Sequence, residues 1–251
     1  MDIHDPGLLY GATVFTTLRV YSQSLDFPLT NWMAHCDRLR GSIEAMRWQL
    51  PDWKRLRKGA RSLLPYYPVL RITIFADGRE LIIGRSLPKN LQQLQQFGAI
   101  AKVADNPMFR RQLSTHKTGN YLPAWLALQE VQKLGAREAI LVDSNGNWLE
   151  TSTGNLWGWK DDRWYTPNGD LLPGIARSQL LNWLHSQNLS VGRDAWNWNF
   201  VKNLEAIAYS NSVVEVIPLS RIISTQGNLT PDPCHPALEY LRSCFRLSSS
   251  A

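Results

Sequence analysis

The sequence feature that most constrains the fold is a β-hairpin signal in the first third of the chain. Two apolar runs, Val69–Phe75 and Glu80–Arg85, are joined by the turn dipeptide Asp77-Gly78. Apolar runs joined in this way predict two antiparallel strands. A further run rich in β-branched residues, Val14–Tyr21, predicts another strand. The first hundred residues are therefore predicted to be α+β with antiparallel pairing.

Apolar residues spaced by three and four positions predict two helices between these strands. The first covers about 30–47, with Thr30 as its N-terminal cap, and the second covers about 53–64. The segment 89–96 contains four glutamines and is predicted to be a connection. A strand at Ala99–Ala104 is expected to follow it.

We place the domain boundary at the turn signal that begins at Asp105-Asn-Pro. The prediction is a smaller N-terminal α+β domain at 1–104, a connection at 105–110 and a larger C-terminal domain at 111–251. The second half is predicted to contain a helix at about 120–134, followed by short strands and further helices.

Composition favours a small-molecule enzyme over a nucleic-acid-binding or membrane protein. The net charge is +6 and there are 11 tryptophans, but the basic residues are spread along the chain, and nucleic-acid binding depends on a patch. No apolar run approaches the roughly 18 residues of a membrane span. Three scattered cysteines lack metal-ligand spacing, and the N-terminus lacks a signal-peptide pattern, so we expect a cytoplasmic protein without a metal site.

Lys117 is the first candidate catalytic residue. Its neighbours in Ser114-Thr-His-Lys-Thr-Gly119 are mostly small or hydroxylated, and a predicted helix follows directly. A partly desolvated lysine has a lowered pKa, so its amine can attack a carbonyl group and later move a proton. Tyr121, four residues on, could turn its hydroxyl toward a cofactor. The alternative is an ordinary loop before a helix, with a buried tyrosine.

Two further motifs follow Lys117 along the chain. Glu150 precedes a turn rich in hydroxyl and amide side chains, and Leu172-Pro-Gly-Ile-Ala-Arg177 predicts a helix start that offers backbone N–H groups to an anion. Pyridoxal phosphate suits this order of groups. The lysine would form its Schiff base, the carboxylate would hold a proton on its pyridine nitrogen, and the helix start would bind its phosphate. Taken singly, the position of Glu150 favours a turn glutamate that accepts backbone N–H bonds, and the helix start is an ordinary one.

Three further side chains are candidates for binding anions. Arg38 adjoins the apolar stripe of its helix, where it can reach a phosphate or remain in solvent; by itself, the position favours solvent. Arg19 and Arg71 interrupt strands that are otherwise buried or half-buried. An inward arginine needs an anionic partner, because an unpaired buried charge is costly. A substrate carboxylate and an internal salt bridge both remain open as that partner.

The order of these motifs resembles the class IV, fold-type IV pyridoxal-phosphate enzymes. The matching segments are His35-x-x-Arg38-Leu39, Lys117, Asn120-Tyr121-Leu122, Glu150-x-Ser-x-x-Asn155-Leu156, Leu172–Arg177 and Ser210–Pro218. The resemblance implies two α+β domains with the cofactor between them, in a homodimer whose neighbouring subunit completes the substrate pocket. It makes Lys117 the catalytic lysine. It implies cofactor contacts from Arg38, Lys117, Tyr121, Glu150, Asn155, Gly174, Ile175, Ala176 and Ser212.

Within this family, the segment Phe15-Thr-Thr-Leu-Arg19 is more similar to aminodeoxychorismate lyases than to branched-chain aminotransferases. A lyase of this kind converts 4-amino-4-deoxychorismate to 4-aminobenzoate and pyruvate, a step toward folate. The resemblance then makes Thr17, Arg19 and Arg71 candidates for binding the carboxylates of an anionic small-molecule substrate. Transamination of a branched-chain or D-amino acid is the alternative, and cofactor binding without catalysis is a third possibility.

Overall fold

The computed structural model describes residues 3–246. The chain divides into two compact units, one formed by Met1–Pro88 with His116–Tyr121 and the other by Lys89–Thr115 with Leu122–Ala251. The division therefore falls after Pro88 and not at the predicted connection 105–110. The physical reason is strand pairing. Ala99–Ala104 pairs with strands that lie much later in the sequence, which no local pattern reveals.

The first unit contains a three-stranded antiparallel sheet in the order β1-β2-β3. Its elements are α1 (Pro6–Leu9), β1 (Thr13–Arg19), a 3-10 helix (Pro28–Thr30), α2 (Trp32–Ala45), α3 (Trp53–Leu63), β2 (Val69–Phe75) and β3 (Glu80–Arg85). The predicted hairpin is confirmed with its predicted strand limits. The predicted cap of α2 is wrong. Asn31 is the N-cap residue, whereas the Thr30 hydroxyl donates to the Ser24 carbonyl and accepts from the Tyr21 amide.

Alternation along the strands gives this sheet two chemically different faces. One face packs against α2 and α3 and forms an apolar core. That core includes Val14, Leu18, Leu39, Ile43, Leu56, Ala60, Leu70, Ile72 and Ile74. The intervening strand positions belong to the second face, which carries Phe15, Thr17, Arg19 and Arg71. The candidate substrate residues therefore share the face opposite the helices.

The second unit is built on a nine-stranded mixed sheet within the described part of the chain. Its elements are α4 (Leu91–Phe97), β4 (Ala99–Ala104), a 3-10 helix (Pro107–Phe109), α5 (Leu122–Gln132), β5 (Glu138–Val142), β6 (Trp148–Thr151), β7 (Asn155–Lys160), β8 (Arg163–Tyr165), α6 (Ile175–Ser186), β9 (Val191–Gly192), α7 (Trp198–Val201), β10 (Ala206–Asn211), β11 (Glu215–Ser224), β12 (Gly227–Leu229) and α8 (Pro236–Ser243). The strand order is β10-β11-β4-β5-β6-β7-β8-β9, and β12 pairs with β11. Because β10 also pairs with β7, six of the strands close into a barrel.

Helices α6 and α8 pack on this sheet through a second apolar core. It contains Trp157 and Trp164 with Leu180 and Leu184 of α6 and Leu238 of α8. The predicted connection at 89–96 is wrong, since Leu91–Phe97 forms α4. Glutamine is a good helix former, and the buried side chain of Leu91 anchors this helix. Among the residues that the structure describes, no helix is both long enough and apolar enough to cross a membrane.

Candidate active site

Lys117 lies in a short extended segment. This segment pairs with the free edge of β1 in the sheet of the first unit. Val14 forms an antiparallel bridge with Thr118. The Phe15 amide donates to the Lys117 carbonyl at 2.8 Å, and the Gly119 amide donates to the Thr13 carbonyl at 2.6 Å. This register sets Lys117 directly beside Phe15, so both side chains belong to the second face of the sheet.

The Lys117 amine has an aromatic environment in this unit. Its Nζ donates to the Tyr121 hydroxyl at 3.1 Å. The same nitrogen lies 4.8 Å from the centroid of the Phe15 ring and 4.4 Å from that of Tyr121. The two rings meet edge to face at 5.5 Å. Two aromatic faces and the Tyr121 hydroxyl thus help to hold the amine of this half-buried lysine in place.

The candidate substrate residues lie on the same face, next to Phe15. Thr17 pairs with Arg71 across β1 and β2, and the Arg71 guanidinium carbon lies 3.6 Å from the Phe15 ring centroid. Burial lowers the pKa of Arg71, and the nearby charge of Arg85 lowers it further. Arg19 lies two residues beyond Thr17, with its guanidinium carbon 4.8 Å from the Tyr21 ring centroid. The structure thus brings Thr17, Arg19 and Arg71 onto one sheet face with Lys117.

Arg38 points inward from α2. It forms a hydrogen-bonded chain with two buried residues on the helix-covered side of the sheet. Its Nη2 donates to Thr16 Oγ1 at 2.7 Å, and the Thr16 hydroxyl lies 2.6 Å from His35 Nδ1. Burial lowers the pKa of Arg38 to about 10. Within the described residues, its Nε is buried and has no hydrogen-bond partner. A buried guanidinium with unused donor capacity suits an anion such as phosphate.

The buried His35 in this hydrogen-bonded chain predicts that the free energy of unfolding depends on pH. Burial, reinforced by Arg38 and Lys117, holds the pKa of His35 well below its ordinary value of 6.5. The unfolded chain then binds one proton more than the folded chain below about pH 6.5. This contribution is complete above that pH and is lost as the pH falls, by up to about 1.4 kcal/mol for each pH unit.

Urea unfolding of wild type at several pH values between about 7.5 and 5 measures this slope. His35→Gln should flatten it, whereas His185→Gln, at an exposed position of α6, should leave it as in wild type. Equal slopes for wild type and His35→Gln would contradict the assignment.

In the second unit, Glu150 is a buried carboxylate with fixed partners. It is 5% exposed and forms an ion pair through Oε1 with Arg111 Nη1. Its Oε2 accepts from the Leu172 amide at 3.2 Å. Arg111 Nη2 also donates to the Ser114 carbonyl at 3.0 Å. An ion pair with a guanidinium favours the ionised carboxylate that a pyridinium partner requires.

Three of the predicted motifs meet in the second unit. The Asn155 side-chain amide donates to the Leu172 carbonyl at 2.9 Å. This hydrogen bond fixes the segment that precedes α6. Asn155 also pairs with Ser210 across β7 and β10, and Trp157 Nε1 donates to the Ser210 hydroxyl at 2.9 Å. Ser212 lies in the turn that follows β10 and is half-buried.

The start of α6 offers uncapped backbone donors. Gly174 is its N-cap residue and makes no side-chain capping bond. The first helical residues, Ile175 and Ala176, are buried. A Cβ atom at Gly174 would lie 2.1 Å from Asn155 Oδ1, so only glycine allows this close approach. Free N–H groups at the start of a 12-residue helix suit the phosphate that the sequence motif predicts.

Sequence reasoning missed two charged residues in this unit, Arg111 and Glu138. Glu138 is buried and accepts from the Ser152 and Thr153 hydroxyls, each at 2.7 Å. Burial raises the pKa of Glu138, while these hydroxyl bonds oppose the rise. A glutamate at the start of the otherwise apolar run Glu138–Val142 could have indicated a buried carboxylate from the sequence. Arg111 had none, because its partner lies 39 positions away.

The donor set fits pyridoxal phosphate. The first unit supplies the Lys117 amine and the buried Arg38 guanidinium. The second supplies an uncapped helix start and the buried carboxylate of Glu150. These are the groups that the carbonyl, the phosphate and the pyridine nitrogen of this cofactor require.

Comparison with known proteins finds similar lyases and aminotransferases. The aminodeoxychorismate lyase of Vibrio harveyi is 23% identical over 247 residues, which cover 91% of this chain and 90% of the lyase. A solved protein that carries the provisional name 4-amino-4-deoxychorismate lyase is 26% identical, with a TM-score of 0.80 over 100% of this chain and 96% of its own. The branched-chain amino acid aminotransferase of Escherichia coli has a TM-score of 0.82 at 21% identity, covering 98% of this chain and 88% of its own.

The family model described as amino-transferase class IV matches residues 13–222, which is most of the chain. The mixed α+β fold in two units agrees with the fold of its solved relatives, which include a pyridoxal-phosphate-bound form. The chain therefore belongs to the amino-transferase class IV family of pyridoxal-phosphate-dependent enzymes.

Proposed function

We propose that this enzyme is a lyase that converts 4-amino-4-deoxychorismate to 4-aminobenzoate and pyruvate. The observation that carries the proposal is the cationic sheet face beside Lys117, where Arg71 stacks on Phe15 and pairs in register with Thr17. The proposed substrate carries two carboxylates, which guanidinium groups bind well. A branched-chain amino acid carries one carboxylate and an apolar side chain, which suits this cationic face less well.

One relative that aligns over most of the chain supports the same reaction. The Vibrio harveyi protein named as a lyase aligns over 91% of this chain, and the alignment spans 90% of that protein. Phe15 is followed here by Thr16 and Thr17 instead of the glutamate and glycine usual in branched-chain aminotransferases. Thr16 also has a structural role, since hydrogen bonds of its hydroxyl connect Arg38 to His35.

The residue roles follow from the chemistry of the donors. We propose Lys117 as the residue that attaches the cofactor covalently, and Glu150 as the partner of the pyridine nitrogen. Tyr121 is proposed to meet the phenolate oxygen. The proposed phosphate contacts come from Arg38, Gly174, Ile175, Ala176 and Ser212. Asn155 is proposed to orient this phosphate segment through its bond to the Leu172 carbonyl.

When bound, pyridoxal phosphate supplies an electron sink for the charge released as the substrate loses a proton. Lys117 is the base in this proposal and takes the proton from the ring carbon that bears the substrate amine. The Tyr121 hydroxyl, 3.1 Å from Nζ, orients that amine. Arg111 forms an ion pair with Glu150, which favours a charged carboxylate. As the ring carbon loses this proton, the bond between the neighbouring ring carbon and the enolpyruvyl oxygen breaks, the ring becomes aromatic, and the departing enolpyruvate takes up one proton to become pyruvate. The reaction therefore needs no oxidant and no second substrate.

The decisive experiment supplies the purified holoenzyme with enzymatically generated 4-amino-4-deoxychorismate. The expected result is 4-aminobenzoate and pyruvate in equal amounts, measured by chromatography. The same protein is also incubated with branched-chain and D-amino acids and a 2-oxo acid. Amino-group transfer without any 4-aminobenzoate would sink the lyase proposal. A protein that takes up the cofactor but turns over neither substrate set would be a binding protein only.

Transamination of an amino acid is the second candidate, and one observation favours it. The aminotransferase of Escherichia coli superposes with a TM-score of 0.82, close to the 0.80 of the structure with the provisional lyase name. An aminotransferase converts to its amino form when mixed with an amino acid alone. A spectral change on adding leucine or D-alanine, without a 2-oxo acid, identifies this activity.

We also propose that the enzyme is a homodimer. Large apolar side chains are exposed on α5 and on the segment that precedes it in the second unit. They are Met108, Leu113, Leu122 and Trp125. Exposed apolar groups of this kind favour association. Light scattering coupled to gel filtration gives the mass, and a monomer at micromolar concentration would contradict the proposal.

A further inference from the structure

The second face of the first unit has a regular arrangement of side chains that includes Arg85, a charged residue to which no role has yet been assigned. Strand register places the residues in rows across β1, β2 and β3. Thr17, Arg71 and Ile83 form one row, and Arg19, Val69 and Arg85 form the next. Lys117 and Phe15 belong to the row on the other side of Thr17. Successive rows are about 7 Å apart, because each is two residues further along the strands.

Arg71 and Arg85 are diagonal neighbours on β2 and β3, so their positive charges repel each other. The charge of Arg85 contributes to the lowered pKa of Arg71. Among the described residues, no carboxylate forms an ion pair with either guanidinium. Two cations held on one face without a protein anion favour a ligand with negative charge.

Arg19 shares a row with Arg85 but has a different environment. Its guanidinium lies over the Tyr21 ring at the end of β1, with a centroid distance of 4.8 Å. Arg85 is exposed at the opposite end of the row. Arg71 and Arg85 are therefore the pair that faces a ligand from adjacent strands.

We infer that Arg85 is a specificity-determining residue that binds the second carboxylate of a two-carboxylate substrate, while Arg71 binds the first. This inference rests on the proposed function. In 4-amino-4-deoxychorismate, the carboxylate of the enolpyruvyl group is attached beside the carbon that bears the amine. The ring carboxylate lies across the ring from that amine. Arg71 is one row from Lys117 and Arg85 is two rows away, so the nearer carboxylate matches Arg71 and the ring carboxylate matches Arg85.

This assignment explains how the sheet face would discriminate between substrates. An amino acid with one carboxylate can pair with Arg71 but has no second carboxylate for Arg85. A substrate with two carboxylates neutralises both charges and removes their mutual repulsion. Discrimination then depends on a residue two rows from the reacting amine, so it should affect substrate binding more than the chemical step.

The test compares the holoenzyme with three variants. Arg85→Gln removes the charge, Arg85→Lys retains it, and Lys58→Gln removes an exposed charge from α3, which packs on the other face of the same sheet. The probes are chorismate, which has both carboxylates but no amine, 4-aminobenzoate, which has the ring carboxylate, and pyruvate. Calorimetry measures chorismate and 4-aminobenzoate binding, product inhibition measures pyruvate binding, and thermal unfolding checks that each variant folds.

Arg85→Gln should raise the Kd for chorismate and the KM for 4-amino-4-deoxychorismate about tenfold, as expected for one charge-assisted contact. The Kd for 4-aminobenzoate should rise comparably, whereas pyruvate inhibition and kcat should change little. Arg85→Lys should recover part of the affinity, and Lys58→Gln should behave as wild type.

An unchanged chorismate Kd in Arg85→Gln, or no chorismate binding by wild type, would overturn the inference. A wild-type enzyme that binds chorismate through Arg85 but forms no 4-aminobenzoate would refute the lyase function and leave the two-carboxylate site standing. A lyase whose KM does not depend on Arg85 would refute the inference alone.

Discussion

Replacing Lys117 by alanine is expected to lower turnover by at least about a thousandfold, because it removes the residue that we propose both attaches the cofactor and acts as the base. Holo wild type should show the visible absorption that an attached pyridoxal phosphate gives. The variant should lose this band even after incubation with the cofactor. Absorption spectra and 4-aminobenzoate formation measure the two effects on the same samples.

The fold should survive this substitution, since Lys117 is only half-buried and the backbone pairing of its segment with β1 does not involve the side chain. Lys133→Ala, at an exposed position after α5, is the matched control and should keep both the band and the activity. Turnover by Lys117→Ala within about tenfold of wild type would contradict the assignment. A retained band would show that another lysine carries the cofactor.

Replacing Arg111 by methionine should destabilise the second unit by about 3–5 kcal/mol, because it leaves the buried carboxylate of Glu150 without its cation. The side chains of Arg111 and Glu150 are 4% and 7% exposed, so solvent cannot compensate for the lost charge. Urea unfolding measures the change in the free energy of unfolding. Cofactor affinity should fall as well, because protonation of Glu150 would remove the charge that a pyridinium partner requires.

A double-mutant cycle separates the ion pair from simple loss of packing. Arg111→Met with Glu150→Gln should recover part of the lost stability, because the glutamine is neutral and can still accept from the Leu172 amide. Arg61→Met is the control, since the Arg61–Asp26 pair is exposed and its loss should change the stability little. Additive effects of the two buried substitutions would argue against coupling between Arg111 and Glu150.

Features that depend on neighbouring residues were predictable from the sequence. The Asp77-Gly78 turn and the flanking apolar runs predicted both strands of the hairpin with their observed limits. Pro173-Gly174 predicted the start of α6 to the residue. The four-residue spacing of Lys117 and Tyr121 brought their functional groups together, although these two residues precede the first turn of α5.

Features that depend on distant partners were not predictable in this way. The glutamine-rich segment 89–96 looked like a connection, yet Leu91 is buried and the segment forms α4. The position of Arg38 alone favoured solvent, but its guanidinium turns inward and donates to Thr16 of β1. Arg85 had no signal at all, because only its pairing with Val69 places it beside Arg71.

The sequence by itself determined the types and approximate limits of most elements, and it identified the lysine, the carboxylate turn and the helix start. These depend on hydrophobic period, turn residues and short spacing, all of which act between near neighbours. The tertiary structure alone decided that the Lys117 segment joins the edge of β1, that Arg111 neutralises Glu150, and that 150–155, 172–176 and 210–212 meet in the second unit. Such partners are selected by which surfaces can be buried together across long stretches of chain, and local propensity carries no information about that choice.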